Sequence, residues 1–214
     1  MVITWYGQSC FKIQSGETVV FTDPFHREIG LTPPRSQASI VTVSHCHSDH
    51  NNIEALSGEP LVIDGPGEYE TKGIGIKGIF SFHDDKDGKE RGGNTIYLME
   101  IEGIKICHLG DLAQKKLTDE QLEKIDEVDI LMVPVGGTAT LDAEDAVEII
   151  SQIEPRIVIP MHYKIPGLTL SFNPDGVDAF LKEMGMGKKE AVDKLTLKKK
   201  DLPEGEMQVV VMRV

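Results

Sequence analysis

Apolar and polar positions alternate from the first residues of the chain, and that alternation predicts strands. Val2–Tyr6, Cys10–Ile13 and Thr18–Thr22 are short β-type runs divided by Gly7-Gln8-Ser9 and by Gly16. A Pro-rich loop follows from Pro24 to about Gln37. Ser39–Ser44 is a continuous apolar run ending at His45, and Leu61–Ile63 is another buried strand. From Glu68 to Phe82 the spacing of Tyr69, Ile74, Ile76, Ile79 and Phe80 predicts one or two strands. Asp84–Gly93 is the most polar stretch and reads as a mobile loop. Asn94–Glu100 and Ile104–His108 form a hairpin around Glu102-Gly103.

Beyond this point the period changes. Thr118 and Gln121 have capping-box spacing for a helix ending near Ile125. Val128–Pro134 is a buried strand, and Asp142–Ile153 carries Ala143, Ala146, Val147 and Ile150 at helical spacing. Arg156–Pro160 is the next strand. Asn173 as N-cap, Pro174 as first helical residue and Gly185 as stop frame a helix across Val177–Met184. Lys194–Lys198 and Met207–Val214 read as a closing strand pair. Strands grouped early and αβ units later predict an α+β fold of two sheets packed face to face with helices outside. No interior linker divides residues 1–214, which read as one domain.

Composition narrows the function. Hydrophobic residues make up 40% and charged residues 27%, and no apolar run approaches the roughly 18 residues of a membrane span. The formal net charge of −13 opposes nucleic-acid and anionic-membrane partners, although a metal site would supply local positive charge. Three cysteines without CxxC spacing, and no secretory leader, point to the cytoplasm. Oligomeric state is not legible.

The chemistry concentrates in Ser44-His45-Cys46-His47-Ser48-Asp49-His50, where three imidazoles and a carboxylate follow an apolar strand. His45 and His47, two apart in extended chain, face the same way. Asp49 and His50 lie where the chain is expected to turn into a helix near Asn51. Such ligands suit Zn²⁺ first, then Mn²⁺, with Fe a weaker fit. By the same alternation Cys46 points away from the metals. Gly73–Gly78 matches GxGxxG, but the strand-like residues after it leave no helix N-terminus for a pyrophosphate.

H-x-H-x-D-H at His45, His47, Asp49 and His50 resembles the motif of the metallo-β-lactamase superfamily. Gly110-Asp111 after Ile104–Cys107, and Pro160-Met161-His162-Tyr163, extend the likeness along nearly the whole chain. The segments TWYGQSCFKI, TDPF, GPGEYE, CHLGDL, LMVPVGG and IPMHY resemble a small prokaryotic branch of metal-dependent hydrolases related to ascorbate-6-phosphate lactonases. The resemblance implies an αββα four-layer sandwich holding two divalent metal ions. His45, His47 and His83 would bind one ion and Asp49, His50 and His162 the other, with Asp111 bridging. Asp84-Asp85 competes with His83 as a ligand. The activity implied is hydrolysis of a small anionic ester, lactone or phosphoester by a hydroxide bridging the ions, with Asp49 and Asp111 positioning the nucleophile. The alternatives are an iron-dependent oxidoreductase of the same fold and a non-catalytic metal-binding protein.

Around this set, Asp23 is either the partner of a ligating histidine or a plain Asp-Pro turn. Glu68 is either a pocket-lining proton relay or a surface turn residue. The resemblance places His108 outside the ligand set. It also marks Gln8 as a departure, since relatives carry histidine there. The loops expected to set the substrate are Pro24–Gln37, Asp84–Gly93 and Lys164–Asn173.

Overall fold

The computed structural model describes every residue from Met1 to Val214. Its first sheet has six strands in the order β12-β1-β2-β3-β4-β5. These are β1 Val2–Gly7, β2 Cys10–Ser15, β3 Thr18–Thr22, β4 Ile40–Thr42, β5 Leu61–Ile63 and β12 Leu195–Thr196. The second sheet has seven, in the order β13-β11-β10-β9-β8-β7-β6. They are β6 Gly67–Thr71, β7 Ile74–Phe82, β8 Gly93–Ile101, β9 Ile104–His108, β10 Ile130–Pro134, β11 Ile157–Met161 and β13 Gln208–Val209. Each sheet is mixed. Antiparallel hairpins form one half, and the parallel runs β3-β4-β5 and β9-β10-β11-β13 form the other.

The alternation in β1 explains why the sheets stack. Ile3 and Trp5 are buried while Val2, Thr4 and Tyr6 are partly exposed. Ile3, Trp5, Phe11 and Ile13 meet Ile76, Met99, Ile104 and Ile106 of the second sheet in one apolar core. The parallel strands β10 and β11 are buried at every position, as strands covered on both faces must be. Helices α1 (Asp119–Ile125), α2 (Ala143–Ile153) and α3 (Val177–Glu183) all follow the second sheet's strands. α2 turns Ala146, Ile149, Ile150 and Ile153 inward. Outside the first sheet the covering layer is loop and 3-10 turn: Phe25, Ile29 and Leu31 pack on Phe21, Val41 and Val43.

Several local expectations change. The stretch after His50 forms a 3-10 turn, Ile53–Ala55, and no α-helix. α3 starts at Val177 as expected, but its N-cap is Gly176 and not Asn173, whose side chain accepts a bond from Lys164 Nζ at 2.8 Å. β12 and β13 do not pair with each other. Each ends a different sheet, β12 beside β1 and β13 beside β11. The Asp84–Gly93 loop is tied down: the Asp84 carboxylate accepts from the backbone N–H groups of Lys86, Gly88, Glu90 and Arg91 at 2.7–2.9 Å. Those four bonds outweigh desolvation and hold the carboxyl well below the usual range. Asp84 therefore spends its lone pairs on the loop.

Candidate metal centre

The C-terminal ends of the strands meet at one end of the sandwich. β4 runs out into Ser44–His50, β7 into His83, β9 into Gly110-Asp111 and β11 into His162. The β1–β2 turn brings Gln8 and Ser9 to the same place, and the end of β3 brings Asp23. Asp23, Gln8 and His162 have positive φ values of 41°, 49° and 53°. That backbone region costs energy for non-glycine residues and gathers at functional sites. Gly110 also has positive φ, 58°, and a Cβ there would stand 2.4 Å from Asn94 Oδ1 and 2.6 Å from Ser44 Cβ. Only glycine lets the loop carrying Asp111 pass so close.

Seven side chains converge. The donor atoms of His45, His47 and His83 lie within 4.8 Å of one another, as do those of Asp49, His50 and His162, and those of His45, His50 and Asp111. Asp111 Oδ2 lies at the centre, facing Nε2 of His162 at 3.1 Å, His50 at 3.2 Å, His83 at 3.6 Å and His45 at 4.0 Å. One carboxylate oxygen cannot accept usefully from four rings. Buried ring nitrogens are accordingly left over: His45 Nε2, His50 Nε2, His83 Nδ1 and His162 Nδ1 have no hydrogen-bond partner. An unpaired buried polar atom costs about 1–3 kcal/mol. A cation in their midst removes that cost for the nitrogens that face it, so the residues present fit metal ions.

The electrostatics agree. Burial lowers His45 to about 3 and His83 to about 4, so both rings are neutral and offer lone pairs at pH 7. Asp111 and Asp49 lie below the usual carboxylate range: burial opposes ionisation, but the facing imidazoles outweigh it. His50 is buried too, yet Asp111 and Asp49 raise it well above 6.5. Without a cation, His50 carries the positive charge that the two carboxylates demand.

Surrounding residues hold the ligands. Asp23 is fully buried and accepts from Ser44 N and Ser44 Oγ, both at 2.7 Å, and from His50 Nδ1 at 3.0 Å. Asp23 is thus a histidine partner, not a plain turn residue. Ser44 Oγ also lies 2.9 Å from His45 Nδ1. His108 is buried outside the cluster, with Nε2 on Ser9 O at 2.8 Å and Nδ1 accepting from Gly110 N at 3.2 Å. It braces both supports of Asp111, since Ser9 Oγ donates to Asp111 Oδ1 at 3.1 Å. Asn94 Oδ1 accepts from Asp111 N at 3.0 Å. Ser9, Ser44 and Asn94 escaped the sequence reading because lone small polar residues carry no pattern. Their only signal was adjacency to Gln8, His45 and the start of β8.

Glu68 is corrected. It sits exposed on edge strand β6 with Lys77 Nζ at 3.6 Å, away from the cluster. Cys46 is exposed and free, and belongs to none of the ligand groups. Gly73–Gly78 spans the β6–β7 turn and the start of β7, with no helix behind it.

A cleft of about 570 Å³ opens over His47, Asp49, His83 and Asp111. Its walls come from the three expected loops: Glu28 and Ile29, then Arg91, then Thr169 to Phe172. Ala139 adds a fourth element. The Phe172 ring stacks on His162 with centroids 6.1 Å apart.

Five imidazoles and two carboxylates gathered at one end of a two-sheet sandwich are the donor set of a metal-binding α+β protein. The chain belongs to the metallo-β-lactamase superfamily: residues 2–162 match the model of the β-lactamase superfamily domain. It is 30% identical over 186 residues to the UPF0173 metal-dependent hydrolase of Thermoplasma acidophilum, covering 75% of this chain and 82% of that one. A crystal structure from Thermotoga maritima, described as a Zn-dependent hydrolase of this superfamily, is similar over 99% of this chain and 98% of its own, with TM-score 0.81 and 39% identity. CmlA, a diiron β-hydroxylase from Streptomyces venezuelae, shares the fold over 92% of this chain and 54% of its own at TM-score 0.61 and 12% identity. The fold alone therefore does not choose between hydrolysis and oxidation. No helix is long and apolar enough to cross a membrane.

Proposed function

We propose that residues 1–214 form one domain that acts as a metal-dependent hydrolase on a small anionic ester, lactone or phosphoester. The observation that carries this reading is Asp111 Oδ2 faced by four imidazole Nε2 atoms within 3.1–4.0 Å. His45, His47 and His83 would hold one divalent cation, and Asp49, His50 and His162 a second, with Asp111 between them. Zn²⁺ is the first expectation and Mn²⁺ the next. When bound, such ions supply water acidic enough to ionise near neutral pH and a Lewis acid for the substrate oxygen.

The protein's own residues do the rest. With a cation in place, Asp23 would hold the remaining His50 proton on Nδ1 and leave Nε2 free on the cluster side. Ser9 and Asn94 hold Asp111 at both its carboxylate and its backbone. Asp49 and Asp111 supply only two carboxylates, so with two dications held there the centre would be net positive and would attract an anionic substrate into an otherwise acidic protein. Arg91 at the cleft adds to that attraction. Ile29, Leu170 and Phe172 present an apolar wall that limits water around the bound substrate. The names of the Thermoplasma and Thermotoga relatives support hydrolysis. The three free cysteines fit the reducing cytoplasm.

The test is metal stripping and reconstitution, followed by a screen of lactones, carboxylic esters and phosphoesters. His45→Ala and Asp111→Ala are expected to lose most bound metal and all hydrolysis while keeping the wild-type far-UV circular dichroism. Full activity with metal retained in either variant would refute the assignment.

A further inference from the structure

Gln8 is fully buried, yet one end of its amide has nothing to bond. Nε2 lies 3.3 Å from Asp49 Oδ2 and 3.1 Å from His162 Nε2, and Oε1 has no partner at all. Its backbone is fixed at positive φ. Gln8 O accepts from Trp5 Nε1 at 2.9 Å and from His162 N at 3.2 Å. The side chain is therefore aimed at the cluster by a strained and anchored turn.

No arrangement of the protein's own groups satisfies this amide. As placed, Nε2 can donate to Asp49 and to a bare His162 Nε2, but then His162 Nδ1–H and Gln8 Oε1 are both buried without partners. A half-turn of the amide exchanges its oxygen and nitrogen. Oε1 would then accept from His162 Nε2–H, but it would also face the Asp49 carboxylate oxygen, acceptor against acceptor. A cation resolves the conflict, because Asp49 Oδ2, His162 Nε2 and the turned Oε1 can all point lone pairs at it. Adjacent ligands bonded at about 2.0–2.2 Å to one four- or five-coordinate ion stand roughly 3–3.5 Å apart. The 3.1 and 3.3 Å separations, which are also hydrogen-bond lengths, match neighbours on one ion.

We infer that the Gln8 amide oxygen is a ligand of the cation held by Asp49, His50 and His162. This rests on the two-cation reading above and adds a donor that the histidine and aspartate motif does not contain. A neutral amide oxygen is a hard donor, so this position becomes richer in oxygen than the His45, His47 and His83 position and favours the harder cation. The two positions would then differ in affinity, and Mn²⁺ would compete best at the Gln8 side.

The test is titration of the metal-stripped full chain with Mn²⁺ and, separately, with Co²⁺ followed by its visible spectrum. Gln8→Ala is expected to leave the first equivalent unchanged and to weaken the second by about tenfold or more. The cobalt bands of the second equivalent should intensify as its coordination number falls. Gln8→Glu, which can ligate through oxygen but cannot donate a hydrogen bond, should keep the second equivalent within a few-fold of wild type. Should Gln8→Ala fail to fold by circular dichroism, Gln8→Glu alone still decides. A second equivalent and cobalt spectrum unmoved in Gln8→Ala would overturn the inference. So would a Gln8→Glu variant that loses the second equivalent, because the N–H would then be the working group. Hydrolysis is scored separately: Gln8-dependent binding without turnover would sink the hydrolase reading alone, and turnover with Gln8-independent binding would sink this one alone.

Discussion

Replacing Asp23 by asparagine keeps the size of the side chain and changes one thing, its hydrogen-bonding sense. The wild-type carboxylate accepts three bonds, from Ser44 N, Ser44 Oγ and His50 Nδ1, at 2.7, 2.7 and 3.0 Å. Asparagine tolerates the positive φ of 41° at this position, so the turn itself survives. Its single oxygen can keep Ser44 N. Its NH₂ group then faces His50 Nδ1 and must donate to it. That forces His50 into the tautomer with hydrogen on Nε2, the nitrogen facing Asp111 at 3.2 Å, and blocks the lone pair a cation needs. Loss of such a partner typically weakens metal binding about 10- to 100-fold, or about 1.4–2.7 kcal/mol. The metal-free protein should also lose about 2–4 kcal/mol, because charge-assisted bonds to a buried carboxylate are each worth about 1.5–3 kcal/mol and not all are replaced. Competition with a chelator of known affinity measures the first quantity, and urea unfolding of the stripped protein the second. Wild-type metal affinity in Asp23→Asn would refute the reasoning, since His50 would then need no carboxylate to present Nε2.

Other consequences follow from the same geometry. The stripped protein should lose stability as pH falls from about 6.5, the unfolded value for histidine. The unfolded chain takes up protons on His45 and His83 there, while the folded chain refuses them until about 3 and about 4. Each group costs up to about 1.4 kcal/mol per pH unit, and a urea midpoint that is flat or rises between pH 6.5 and 5 would contradict those directions. Asp84→Ala should release the four backbone N–H groups of its loop, raising KM through displaced Arg91 while metal content stays at the wild-type value. Metal loss in that variant would make Asp84 a ligand. Cys46→Ser should retain all metal by elemental analysis, because Cys46 is exposed and outside the donor groups.

The sequence showed the two sheets because alternation is written directly into strands with one buried face, as in Ile3 and Trp5. It also showed the capping box at Thr118 and Gln121, whose two bonds at 3.2 and 2.9 Å are local. Partnerships across long separations were not legible. β12 and β13 look like a hairpin, but each meets a strand far away in sequence. The spacing of His45, His47, Asp49 and His50 announced a metal site, whereas Ser9, Ser44 and Asn94 act through neighbours up to 102 residues away and leave no pattern. Glu68 misled because a Gly-Pro-Gly-Glu turn looks the same whether it faces a pocket or solvent. Asp84 misled in the opposite way. An acidic, Gly-rich run suggests mobility until one carboxylate is found to organise the loop from within.

The most direct test of the whole account is hydrolysis measured while zinc is added stepwise to metal-free protein, with a lactone, a carboxylic ester and a phosphoester as parallel substrates. The expected result is activity on at least one of them that rises with added metal and levels off at two equivalents per chain. Two bound equivalents without turnover of any substrate, or turnover that persists in the stripped protein, would contradict it.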